Sequence, residues 1–368
     1  MPGKIVDLFP GGNTSKGFYS FYRYILGQEE ARRIICIKGG PGTGKSSLMK
    51  KVAVHFSAKG YDIELHHCSS DNNSLDGVVI KGLNVSMMDS TAPHNMDPMN
   101  PGAVDEILNL GDCWNEEGFK RFRKNIIDTN KEIGKIFKRA YRFLGAAKAV
   151  HDDWTNYNNE ALNTVKLNKL KEDLKDKLFT SPVDGYGKDR HLFATAFTPN
   201  GIVTYIDTIV KDYEKVYVLN GGPGTGKTEV LDFLSKEGLK RGLYVEIFHD
   251  PLIPERIEHI FIPELKTAFI TSNEINQKKF EGIQIYMDNY LNSYLISKNR
   301  EEIKADSEMF YNLLNKGLKT IASAKALHDQ LETYFIPNMN FDKLNEVTKK
   351  VIDKIEKYEQ EYLKDKQI

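Results

Sequence analysis

The chain has 368 residues, enough for two to three domains of ordinary size and a large core. Apolar residues make up 40% and charged residues 28%, and 51 Lys+Arg face 51 Asp+Glu, which argues against a protein that coats nucleic acid through its overall charge and leaves local patches open. No apolar run nears the ~18 residues of a membrane helix, and the opening MPGKIVDLFP has no apolar signal core. Cys36, Cys68 and Cys113 lie apart without a CxxC pair, against a disulfide framework or a structural zinc site. The expectation is a reduced, cytoplasmic α/β protein.

In chain order, Ile34–Ile37 is a short apolar run that reads as a buried parallel strand. It leads into Gly39-Gly40-Pro41-Gly42-Thr43-Gly44-Lys45-Ser46, which matches GxxxxGK[ST]. Leu48 and Val52 then open an apolar-periodic helix that Gly60 stops. Asp62–His67 and Val85–Met88 read as second and third strands. From Phe119 to Leu144, Phe119, Phe122, Ile126, Ile133, Phe137, Ala140 and Leu144 keep helical spacing and predict one apolar face. Ten Lys/Arg and two acids lie between Phe119 and Lys148, and Lys124, Lys131, Lys135, Lys138 and Arg142 recur as a basic stripe. A turn-rich stretch follows at Ser181–Gly187.

The same order then returns. Val216–Leu219 predicts a strand, and Gly221-Gly222-Pro223-Gly224-Thr225-Gly226-Lys227-Thr228 repeats the loop at an offset of 182. Val230 and Leu234 open a helix, Gly242 stops it, and Tyr244–His249 and Thr267–Ile270 read as strands. The offset of 182 also pairs Gly60 with Gly242, Glu64 with Glu246, His67 with His249 and Ile80 with Ile262. Upstream it is 184, pairing Leu8-Phe9 with Leu192-Phe193; downstream it is 177, pairing Ala147–Asp152 with Ala324–Asp329. The helix around Glu301–Lys325 lacks the basic bias, and Phe341–Leu363 reads as a charged helix. The chain is a tandem duplication. The predicted fold is α/β: two P-loop NTPase domains, 1–185 and 186–368, each a mostly parallel sheet flanked by helices with a helical appendage.

Glycines let a backbone fold round phosphate with successive N–H groups turned inward, and the helix that follows adds its positive dipole end. Lys45 and Lys227 are expected to reach the β- and γ-phosphates of ATP or another NTP. Ser46 and Thr228 are expected to place hydroxyls on Mg²⁺. A strand-end carboxylate completes such a site. The first repeat offers Asp89. The second has Thr271 there, Glu274 three residues on, and Asp250 where the first has Cys68. The sites are predicted to be chemically unequal. Neither repeat shows a two-acid strand end with a catalytic Glu, which weighs against motor ATPases.

Other repeated residues carry two readings each. His67 and His249 close the second strands, where they contact a ligand or hold the strand end by hydrogen bonds. His66, His67 and Cys68 are poor joint metal ligands, since adjacent strand residues point to opposite faces. Lys148-x-x-His151-Asp152 and Lys325-x-x-His328-Asp329 put a cation and a His on one helix turn, either near a nucleotide of their own or the other half or on a solvated face. Asp71, Asp76 and Asp97 bind a substrate hydroxyl or cap turns.

Leu8-Phe9, Thr14, Gly17–Phe21, Met88-Asp89-Ser90-Thr91-Ala92-Pro93-His94, Asp97-Pro98, Pro101–Ile107 and His191–Phe193 together resemble an uncharacterised bacterial family of tandem P-loop ATPases. The resemblance spans nearly the whole chain. It implies the P-loop NTPase fold and ATP binding but supplies no reaction. Ser90 stands where that family is expected to have Gly, while Asp89 is retained.

Three functions fit: an Mg²⁺-dependent ATPase whose two sites move the halves, a nucleotide or small-molecule kinase with the basic helix as lid, and an NTPase that uses that helix on nucleic acid. The missing catalytic Glu and plain two-domain size favour the first two. Lys45, Lys227 and Asp89 are the predicted catalytic residues, and Ser46, Thr228, Asp89 and Asp250 the predicted metal residues. The partner beyond nucleotide is open, nucleic acid is not favoured, and no membrane segment is expected.

Overall fold

The computed structural model describes residues 1–92, 96–180, 182–183 and 185–366. Pro93 and His94 of the family-like stretch, and Ser181 and Asp184 of the expected boundary, lie outside the described residues. The first repeat forms β1 (Ile5–Leu8), β2 (Gly11–Thr14), β3 (Gly17–Ser20), β4 (Arg33–Lys38), α1 (Lys45–Ala58), β5 (Ile63–Cys68), β6 (Asp71–Ile80), β7 (Val85–Asp89), β8 (Asp105–Asn109), α2 (Glu116–Lys120), α3 (Arg123–Ala161) and α4 (Thr164–Leu178). The second repeats that order with one added short helix: β9 (Asp189–Leu192), β10 (Thr195–Thr198), β11 (Gly201–Thr204), α5 (Ile206–Ile209), β12 (Lys215–Asn220), α6 (Lys227–Leu239), β13 (Val245–His249), β14 (Ile257–Ile262), β15 (Thr267–Ser272), β16 (Ile283–Tyr286), α7 (Ser293–Lys298), α8 (Arg300–Phe335) and α9 (Phe341–Asp365).

Duplication and packing divide the chain differently. One compact unit holds 1–11, 20–137 and 321–368, and the other holds 12–19 and 138–320. Each unit therefore combines segments of both repeats, whereas the spans 1–185 and 186–368 follow the duplication. The chain passes from one unit to the other within α3, at 137/138, and within α8, at 320/321, helices of 39 and 36 residues.

In the first unit the sheet order is β1-β5-β6-β7-β4-β8. All neighbours are parallel except at β6, which runs against β5 and β7. Leu48, Met49, Val52 and Phe56 of α1 and Leu344, Val351 and Ile355 of α9 bury their apolar faces on Ile35, Ile37, Val78 and Met87 of the strands. The α9 pattern repeats at helical spacing, which is why an otherwise charged helix docks there.

In the second unit the order is β16-β12-β15-β14-β13-β9, with β14 reversed in the same way. Val230, Leu231 and Leu234 of α6 and Leu167, Leu174 and Leu178 of α4 close its core over Leu219, Ile260 and Phe269. The sheets are thus mixed, and each has six strands where the sequence predicts three. The reversed strand β6 escapes notice because its first half, Asp71-Asn72-Asn73-Ser74, is turn-forming in composition.

The basic segment is not one helix. α2 ends at Lys120 and α3 begins at Arg123, so Phe119 and Phe122 leave the predicted face and pack on Phe335 and Tyr334 with ring centroids 5.1 Å apart in both cases. Ile133, Ala140 and Leu144 are buried as expected, and Lys124, Lys131, Lys135, Lys138 and Arg142 are exposed. Among the described residues no helix is long and apolar enough to cross a membrane.

Candidate functional site

Each glycine-rich loop joins an interior strand, β4 or β12, next to the sheet edge, to the first residue of a helix, Lys45 or Lys227. Gly42 (φ 66°) and Gly44 (φ 87°) take left-handed backbone, as do Gly224 (φ 69°) and Gly226 (φ 88°). A side chain at these positions meets its own carbonyl, so the sequence can turn there only with glycine. Thr43 Oγ1 donates to Gly40 O at 2.8 Å and Thr225 Oγ1 to Gly222 O at 2.9 Å, which pins both loops. Gly39, Pro41 and Gly221, Pro223 complete the turns. Within each loop, the N–H groups of Gly42, Gly44, Lys45 and Ser46, and of Gly224, Gly226, Lys227 and Thr228, meet no acceptor among the described residues.

The lysines fold back across their loops. Lys45 Nζ donates to Gly39 O at 2.6 Å and Gly40 O at 2.8 Å. Lys227 Nζ donates to Gly221 O at 2.6 Å and to Gly222 O. Lys227 is 6% exposed, and burial drives its pKa down to about 8 against the pull of Glu274.

The loops are covered by helices that come from the other repeat in sequence. In the first unit a Cβ on Gly40 would stand 2.4 Å from the Phe335 ring, and one on Gly44 would stand 2.5 Å from Leu344. In the second unit Asn158 Nδ2 donates to Pro223 O at 2.7 Å, Trp154 lies over Gly222, and Leu167 against Gly226.

Acids differ between the units. Asp89 ends β7; its Oδ1 accepts from Thr91 N at 2.9 Å and its Oδ2 lies 3.5 Å from Lys45 Nζ. Ser46 Oγ accepts from Leu75 N at 3.0 Å. In the second unit Thr271 Oγ1 accepts from Asn273 Nδ2 at 3.2 Å, and Thr228 Oγ1 donates weakly to Ile257 O at 3.5 Å. Asp250 Oδ1 accepts from Leu252 N and Ile253 N at 2.8 and 2.9 Å and so caps the turn after β13.

Two further acids are buried beside them: Glu274, which the sequence offers three residues past Thr271, and Glu258, which the sequence pattern does not single out. Glu258 Oε1 accepts from Asn273 and Asn276, and burial together with the charge of Asp250 pushes its pKa up to about 8. For Glu274, burial acts upward, but the hydrogen bond from His151 and the charge of Lys227 hold it down at about 2. No local signal points to this pair, since His151 and Glu274 stand 123 residues apart. Among the described residues no three His, Cys, Asp or Glu gather closely enough to hold a metal ion by themselves. A divalent cation at either loop would take its protein ligands from the loop hydroxyl and an acid. The acceptor-free N–H groups beside a lysine fit a phosphate chain, and these donor sets fit such a cation.

The remaining expected residues resolve as follows. His67 is held by Asp7 at 2.7 Å and by Asn72 O at 3.0 Å, and His249 by His191 at 2.8 Å, so both serve the strand end. Burial and His191 lower the His249 pKa to about 4. Lys325 bridges Asp71 and Asp329, Lys148 pairs with Asp152, Asp97 pairs with Lys38, and Asp76 accepts from Tyr22 OH at 2.5 Å. Ser90 does not have positive φ, so its turn asks for no glycine. Comparison with protein-family models, with curated proteins and with solved structures finds no match for this chain.

Proposed function

We propose that the chain binds ATP, or another nucleoside triphosphate, with Mg²⁺ at both glycine-rich loops and hydrolyses it: a duplicated P-loop NTPase, the class that its tandem motifs resemble. One observation carries the reading. Four backbone N–H groups with no acceptor among the described residues sit beside a lysine ammonium, and the arrangement occurs twice. Unpaired N–H groups at a helix start are costly unless an anion or water takes them, and the helix dipole favours the anion. Lys45 and Lys227 exchange loop carbonyls for phosphate oxygens. Ser46 with Asp89, and Thr228 in the second unit, hold the cation, which neutralises charge on the phosphates. The loops are covered by α3 around Trp154 and α8 around Phe335, and neither stretch carries a member of the basic stripe. This favours hydrolysis over a kinase with that stripe as lid. Cys36, Cys68 and Cys113 are free, in keeping with a reducing, cytoplasmic setting.

Calorimetric titration with ATP–Mg²⁺ tests the reading. Two sites are expected in the natural chain and one each in Lys45→Ala and Lys227→Ala. Unchanged stoichiometry and affinity in both variants refute it. Turnover measured with metabolites, DNA or RNA added separates hydrolysis from phosphoryl transfer and from nucleic-acid stimulation.

A further inference from the structure

The two loops share glycines, lysine and hydroxyl but not their acid. Asp89 stands 3.5 Å from Lys45 at the first loop, whereas its counterpart at the second is Thr271, already engaged with Asn273. Beyond Thr271 the chain turns sharply. Asn273 Oδ1 accepts from Ile275 N and Asn276 N, both at 2.9 Å, and this Asx turn sets Glu274 inward. Tyr311 OH and Gln277 Nε2 donate to the Glu274 carbonyl at 3.0 and 3.2 Å and lock the backbone.

The Glu274 side chain is 2% exposed. Its Oε1 accepts from His151 Nε2 at 2.6 Å, and Thr155 Oγ1 lies 3.4 Å from the other ring nitrogen. Its Oε2 is buried with no hydrogen-bond partner among the described residues. A carboxylate oxygen left dry in a protein interior is costly unless it serves a ligand. Of the neighbouring acids, Asp250 caps a turn with Oδ1, and Glu258 takes two amide donors on Oε1 and leaves Oε2, likewise without a hydrogen bond among the described residues, 3.4 Å from His259 Nε2.

We infer that Glu274 is the acid that holds the divalent cation at the second loop, and that His151, which belongs to the first repeat in sequence, is the positioning residue that aims its free oxygen. This rests on the nucleotide reading above. It makes the second site composite, with loop and acid from one repeat and the residue that orients the acid from the other.

The test uses the full chain carrying Lys45→Ala, so that the second loop is the one read. ATP affinity is measured by calorimetry with and without Mg²⁺. The parent should bind ATP more tightly with Mg²⁺. Glu274→Gln should lose that metal-dependent gain by about tenfold or more, while metal-free ATP affinity stays within about threefold. His151→Ala should lose part of the gain, and His151→Gln, which keeps a donor, should restore it. Folding is followed by far-ultraviolet circular dichroism. If Glu274→Gln does not fold, Glu274→Asp replaces it, and the same loss is expected because the carboxylate is one methylene short. A parent that binds no ATP overturns the nucleotide reading and this inference with it. A parent whose Mg²⁺ gain survives undiminished in Glu274→Gln or Glu274→Asp overturns this inference alone.

Discussion

Lys227→Met should abolish nucleotide binding at the second loop without weakening the fold of its unit. The charged lysine is buried, and its pKa falls from 10.5 to about 8. At about 1.4 kcal/mol per tenfold change, holding that charge inside costs about 3 kcal/mol at neutral pH. Methionine removes the cost and keeps the volume. Against this, Gly221 O and Gly222 O lose a donor, about 1 kcal/mol each. The net expectation is a variant about 1 kcal/mol more stable than its parent at pH 7. The sign with pH follows from proton counts. Between about 8 and 10.5 the unfolded lysine is protonated and the folded one is not, so parental stability rises with pH there. The variant's advantage should shrink as pH rises past about 8 and reverse within that window, at about pH 9. The chain has two tryptophans, Trp114 and Trp154, one in each unit. Urea unfolding of a Trp114→Phe background, followed by Trp154 fluorescence at pH 7 to 10, therefore reads the second unit. Parallel pH profiles for parent and variant would refute the desolvation of Lys227. Lys45→Met should behave oppositely and destabilise the first unit, because it strips Asp89 of its facing ammonium.

Asp89→Asn should lower Mg²⁺-dependent turnover by about tenfold or more, while Thr271→Ala changes it little; equal effects would show that the acid is not at that strand end. Gly224→Ala should cost clearly more stability than Gly201→Ala in urea unfolding. Both have positive φ, worth about 1–2 kcal/mol of strain, but only Gly224 would bring its Cβ within 2.2 Å of a backbone oxygen, that of Thr155. Joint reversal of Lys131, Lys135, Lys138 and Arg142 to Glu should leave basal turnover unchanged, since these side chains are exposed. A loss without nucleic acid present would revive the lid.

The sequence by itself determined the duplication, the strand-loop-helix units, the helix stops at Gly60 and Gly242 and the inequality of the two acids. These are local matters. Eight residues specify a loop because only glycine tolerates its left-handed positions, and helical periodicity shows over a dozen residues. Tertiary structure alone decided the rest. Both sheets offer an apolar face of the same kind, so the apolar stripes of α4 and α9 do not say which sheet each will cover. The reversed strands β6 and β14 form because their ladders complete the sheets, overriding the turn-like composition of Asp71–Ser74. Glu274 meets His151 across 123 residues only once that exchange of helices has taken place. A carboxylate's role depends on burial and neighbours, and neither is written in the spacing around it.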